Sequence, residues 1–177
     1  MSYKYLLPII ALCFSVLSAQ AQCSIENSKE ADGIIVYQAK FESLYKNVGN
    51  NNDGDYSLGF IQVHGRLFTH SEPKSSGKKW GLQIGVVGKP TSQVIIPRKV
   101  LFSFLDGTNL SLSAASYEDK GPIELCQFNL TESERILLRK PIRTIVITDN
   151  RTGQSYTSDK RYGLYDRVLS EQVGCLE

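Results

Sequence analysis

Histidine is scarce in this chain, with His64 and His70 the only two among 177 residues. Six positions apart on one extended strand they stand about 20 Å from each other. Metal–nitrogen bonds are only about 2 Å long, so the pair cannot share an ion. No Ser, Cys or Asp pattern marks either one as a base, and both are read as side chains on a polar strand face. Net charge is small as well: 20 Lys+Arg stand against 18 Asp+Glu. That balance lacks the clustered basic excess of a nucleic-acid binder and the electrostatic grip that anionic lipid requires. The basic pairs Lys78-Lys79 and Arg139-Lys140 read as solvated surface. Beyond the first residues no apolar run reaches the roughly 20 positions that span a bilayer, so no transmembrane segment is expected. Internal repeats and low-complexity stretches are absent too.

What is present begins with an export signal. Lys4 precedes an uncharged run from Leu6 to Leu17, which breaks into Ser18-Ala19-Gln20-Ala21. This is the pattern of a cleavable signal peptide over residues 1–21, with an Ala-x-Ala site. Residues 22–33 read as a flexible polar leader. Residues 34–177 read as a single domain, long enough for a hydrophobic core.

The chain has 4 cysteines. Cys13 leaves with the signal, so Cys23, Cys126 and Cys175 remain, an odd count for an oxidising compartment. The expected arrangement is a Cys126–Cys175 disulfide that staples a C-terminal helix to the sheet, worth about 3–4 kcal/mol on the chain-entropy model. Cys23 would then be a lipid-attachment site, although Gln22 replaces the small residue preferred before a lipidated cysteine. The alternatives are a Cys23–Cys175 bridge tying the termini together, or an unpaired Cys23 in the leader.

Strand signals follow one another along the domain. Ile34–Phe41 is β-branched and aromatic. In Leu58–Thr69, Ile61, Val63 and Leu67 alternate with Gln62, His64 and Arg66, the period of a half-buried antiparallel strand. Further strands are expected over Trp80–Val87, Gln93–Leu105 (interrupted near Pro97), Glu124–Leu130, Arg143–Thr148 and Gln154–Thr157. Asp106-Gly107 predicts a two-residue type I′ hairpin, pairing Ser103 with Leu110 and Leu101 with Leu112. Thr131 and Glu134 predict a capping box opening a short helix that ends before Pro141. Asp159 is placed as the cap of a C-terminal helix carrying Leu164, Tyr165, Val168, Leu169 and Gln172 on one stripe.

Candidate chemistry is thin. The loop Asn47–Asp55 fails the calcium-loop pattern, because aligning Gly54 to the invariant glycine puts Gly49 and Phe60 where oxygen ligands must stand. Glu118-Asp119 lies in a turn, and Glu132 with Glu134 suits a helix N-terminus. Gly81, Gly85 and Gly88 interrupt a strand without opening a helix, so they form no phosphate cradle. Three Asn-x-Ser/Thr triplets, at Asn109, Asn129 and Asn150, fit the glycosylation sequon. Trp80 and Tyr56, both beside polar loops, are the candidate ligand-contact residues, as a stacking platform. No catalytic, cofactor-binding or metal-ligating residue is assigned.

Several stretches have a familiar order: Phe104-Leu105-Asp106-Gly107 with Leu110–Leu112, then Leu130-Thr131-Glu132-Ser133-Glu134, Ile142-Arg143-Thr144-Ile145, and Cys175-Leu176 near the end. Together with the Ala-Gln signal ending, this resembles small exported Bacteroidota proteins of unknown function. The resemblance implies a bacterial envelope setting and brings no active site with it.

The expected fold is mainly β (α+β): an antiparallel sandwich or open barrel-like sheet with one short internal helix and a C-terminal helix. The expected function is an exported, non-enzymatic binding or interaction module of the bacterial envelope, in the periplasm or outside the cell. Its partner would be an envelope protein or a glycan, and Cys23 would be its lipid anchor. A secreted hydrolase with unassigned acid/base residues, and a β-barrel carrier of an apolar ligand, are the competing expectations.

Overall fold

A computed structural model describes residues 24–29, 34–46, 62–71, 77–87, 96–119, 124–158 and 164–177. The signal region 1–21, Cys23, the loop Asn47–Asp55, Tyr56 and Asp159 lie outside them. The stretch expected to be a flexible leader contains the first strand, β1 (Ile25–Lys29), paired antiparallel with β2 (Ile35–Ala39). Its Glu, Asn, Ser and Lys are poor strand formers. Pairing nevertheless satisfies the row of backbone donors and acceptors that β2 would otherwise leave bare at a sheet edge.

The remaining elements are β3 (Glu42–Lys46), β4 (Gln62–Ser71), β5 (Lys78–Val87), β6 (Pro97–Phe104), β7 (Asn109–Ser113), β8 (Ser116–Asp119) and β9 (Glu124–Leu130). Helix α1 (Glu132–Leu137), β10 (Ile142–Asp149), β11 (Ser155–Thr157) and α2 (Val168–Leu176) complete the chain. Two antiparallel sheets result. The larger has seven strands in the order β1-β2-β4-β5-β9-β8, with β3 also paired to β4; the smaller runs β11-β10-β6-β7. They share one core, to which β5 gives Leu82 and Ile84, β6 Phe102 and Phe104, β9 Phe128 and α2 Leu169 and Val173. Among the described residues neither sheet closes into a barrel.

In β4 the predicted alternation holds: Val63 and Leu67 are buried, while His64, Arg66 and His70 are half-buried on the other face. Phe68 is the exception, lying on the outer face yet only 7% exposed. It pairs with Gly81 on β5, and a Cβ at position 81 would sit 2.1 Å from its ring. The glycine is the seat for the phenyl ring. Along the other edge of β4, β3 pairs with residues up to Gly65 and β2 from Phe68 onward, leaving a break. Gln172 of α2 fills it, accepting from the Leu67 amide at 2.8 Å and donating to the Lys40 carbonyl at 3.1 Å.

The Asp-Gly hairpin forms in a different register from the one expected. Only Gly107 has positive φ in this turn, whereas a type I′ turn needs it at both central residues. The Gly107 amide donates to the Phe104 carbonyl, and the Phe104 amide to the Thr108 carbonyl. A longer loop results, closed by the left-handed glycine. Phe102 therefore faces Leu110 and Val100 faces Leu112, and all four are buried. A one-residue slip exchanges the faces of a strand, so Leu101 and Ser103 take the other side.

Helix α1 has the predicted capping box: the Glu134 amide donates to Thr131 Oγ1, and the Thr131 amide to Glu134 Oε2 at 2.7 Å. Helix α2 starts later than expected, at Val168 after Arg167. Leu164 precedes it in an isolated bridge to Tyr45, and Tyr165 is half-exposed. The expected Cys126–Cys175 bridge is not formed. Cys126 is a fully buried thiol on β9, opposite Ile84 and Tyr117. Cys175 belongs to a helix that packs on β2, β3 and β4. Strand β5 separates β9 from β4, which holds the two sulfurs apart.

Asp149 closes the β10–β11 turn from a buried position. It accepts from the Ile96 amide at 3.0 Å and the Thr152 hydroxyl at 2.8 Å. Burial by itself would raise the carboxyl's pKa, but these bonds and the Arg151 and Thr152 amides outweigh it and hold the group below its usual range. A depressed folded pKa gives stability that is present above the unfolded value of about 3.9 and lost as pH falls through the folded one. Unfolding free energies from urea titrations at pH 7 and pH 3 should therefore drop more steeply in the wild type than in Asp149→Asn. Equal drops would mean that Asp149 titrates alike in both states.

Candidate functional site

One face of the seven-stranded sheet is committed to the core, and the other is open and polar. Register brings its side chains into rows. Gln38 lies beside Phe68 across β2–β4, Arg66 beside Gln83 across β4–β5, and Gln83 beside Gln127 across β5–β9. Glu26 and Glu118 mark the two flanks. Rigid strands thus array three amides, a guanidinium and two carboxylates on one surface.

Arg66 is the centre of this face. Its Nε donates to Gln83 Oε1 at 2.7 Å, and its guanidinium carbon lies 5.7 Å from the centroid of the Phe41 ring. The same phenyl ring stacks on His64, with centroids 6.0 Å apart and planes 10° from parallel. Partial burial draws the Arg66 pKa down, while the charges of Glu26 and Glu118 oppose that shift. No carboxylate pairs with Arg66 among the described residues. Burial also lowers the pKa of His64, favouring a neutral imidazole, which can donate from one nitrogen and accept at the other.

Two adjoining hollows indent the face, with His70 in the wall of each. The first, about 300 Å³, is bounded by Ser28, Gln38, Phe68, Gln83, Glu118 and Gln127 among others. The second, about 490 Å³, lies at the end of the strands against α1 and is lined by Lys78, Lys79, Trp80, Asn129, Leu130 and Glu132 as well.

Trp80 thus borders a hollow, as a ligand-contact residue should, but it does so as a wall. The residue is 8% exposed, and the Arg135 guanidinium lies over its ring at 4.9 Å. Arg135 is in turn held by Glu132 and Glu177, and the Glu132 contact raises its pKa. A cation–π contact thus covers one face of the indole. Tyr56 lies outside the described residues. Sequence reasoning passed over Arg66, Gln83 and Phe41. A signal for the first was present in the even-numbered polar positions of β4; nothing local connects Gln83 or Phe41 to it.

For metal binding, the described residues contain no group of three or more His, Cys, Asp or Glu side chains. Their helices include none long and apolar enough to cross a membrane. No protein-family profile, curated protein or solved structure matches the chain.

Proposed function

We propose that this protein is an exported, non-enzymatic binding module of the bacterial cell envelope, and that it holds a glycan or protein partner on the open face of its larger sheet. The observation that carries the reading is Arg66. Its guanidinium is fixed by Gln83 and Phe41 at the middle of a rigid, polar surface, with donor capacity beyond its one bond to Gln83. The amides of Gln38, Gln83 and Gln127 offer both donors and acceptors around it. Such an array recognises a ligand rich in hydroxyl, amide or carboxylate groups through several hydrogen bonds at once. The leader pattern over residues 1–21 supports export.

The test is a titration of the purified protein against envelope glycan fragments and envelope extracts, repeated with Arg66→Ala, Arg66→Lys and the distant surface variant Arg143→Ala. Loss of one charge-assisted contact of about 1.4 kcal/mol weakens binding tenfold. Arg66→Ala should show at least that loss with its melting temperature little changed. Arg66→Lys should recover little, because an ammonium lacks the planar fork. Equal binding by all four proteins would sink the proposal.

A further inference from the structure

We infer that two copies of this chain associate by antiparallel pairing of strand β7 with itself, which joins their smaller sheets into one continuous sheet. Among the described residues β7 is an outer strand, paired with β6 alone. The Phe104 amide donates to the Thr108 carbonyl and the Ala114 amide to the Arg98 carbonyl. Even-numbered residues of β7 therefore turn their backbone groups toward β6. By the alternation of an antiparallel ladder, Asn109, Ser111 and Ser113 turn theirs outward, and all three residues are exposed.

An outer strand is a template for another chain, and proteins ordinarily blunt it with charge, proline, a bulge or shortness. Strand β7 has none of these devices. Residues Thr108 to Tyr117 carry no charge and include no proline. The β6–β7 register runs without a shift, and 5 residues is a usual strand length. The outer strands at the other ends of the two sheets are protected. Strand β1 carries Glu26 and Lys29, β8 ends in Glu118-Asp119, and β11 has only 3 residues.

The absence of charge also selects a second copy as the occupant. Pairing about a two-fold axis at Ser111 sets that residue opposite itself, and Asn109 opposite Ser113 of the other copy. A charged side chain at the axis would meet its like and repel. Here hydroxyl meets hydroxyl, and amide meets hydroxyl. Residues facing each other in a hydrogen-bonded pair exchange both backbone bonds, so each outward amide of Asn109, Ser111 and Ser113 finds a carbonyl. On the inner side Leu110 comes beside Leu112 of the other copy, which continues the row of buried leucines across the axis. The edge belongs to the smaller sheet, so pairing leaves the Arg66 face of the larger sheet open on both copies.

Sedimentation equilibrium from about 1 μM to about 1 mM tests this, the span in which an interface of one strand should associate. Protein produced from the full chain in an exporting bacterium should pass from one-chain to two-chain mass. Denaturing gels without reductant should show single chains, so that no disulfide holds the pair. Ser111→Lys sets two ammonium groups against each other at the axis and should weaken association at least about tenfold, with its melting temperature little changed. Thr157→Lys, at an exposed position of β11, should associate like the wild type. Hydrogen exchange at the residue 111 amide should slow with rising concentration in the wild type and stay fast in Ser111→Lys. A one-chain mass throughout, a disulfide-linked pair, or association that survives Ser111→Lys overturns the inference. So does a dimer in which the Ser111 amide exchanges as fast as in the single chain.

Discussion

Replacing Phe102 with alanine should destabilise the protein by about 3–5 kcal/mol, the range for emptying a core site of a phenyl ring. Phe102 has no exposed surface; it lies on β6 between Leu110 of β7 and Ile145 of β10. A domain of this size is stable by only about 5–15 kcal/mol, so the variant should sit close to unfolding. Leu101→Ala should cost distinctly less, since Leu101 is only half-buried. The comparison is also a test of register. Pairing Leu101 with Leu112, as a two-residue Asp-Gly turn requires, would turn Leu101 to the leucine side. Urea unfolding of both variants reads the difference, and a larger loss from Leu101→Ala would overturn the observed register.

Gln172→Leu should cost about 2–4 kcal/mol although the two side chains are close in size. The substitution leaves a buried amide at Leu67 and the Lys40 carbonyl without partners, and each orphaned group costs roughly 1–3 kcal/mol. Its local signature is faster hydrogen exchange at the Leu67 amide, measured by NMR under native conditions. If stability fell while that amide stayed protected, Gln172 would act through packing alone, and the healed break between β2 and β3 would need another explanation.

These two sites show different degrees of legibility. The alternation in β4, the Asp-Gly turn, the Thr131–Glu134 box and the strands around Trp80 and Cys126 all follow from local rules, and each element exists. Local rules failed where two conformations satisfy the same pattern. Asp-Gly suits a type I′ turn and also a longer loop closed by one left-handed glycine. Packing of Phe102 and Phe104 against Leu110 and Leu112 selects the second. Ser24–Lys29 reads as polar coil, yet the bare edge of β2 gives it hydrogen-bond partners. A Cys126–Cys175 bridge would staple the last helix to the sheet, but Cys126 is buried on β9 and Cys175 lies on a helix over β2–β4.

The candidate site was the least legible part. Arg66 sits on a face that the period-2 pattern identifies, but its partners come from 25 residues upstream and 17 downstream, at Phe41 and Gln83. Trp80 was legible as a residue beside polar surface. The guanidinium laid over its ring arrives from Arg135, beyond the reach of any local window.

The sequence alone determined the strand-rich class, the hairpin, both helices and the leader pattern, because each depends on side-chain period, turn chemistry or capping within a few residues. Only the tertiary structure decided the hairpin register, the two-sheet arrangement, the mending of the β2–β3 break by Gln172, and the ring of groups around Arg66. Those depend on hydrogen bonds and contacts between residues far apart in the chain. Their energies exist only once the sheets have formed.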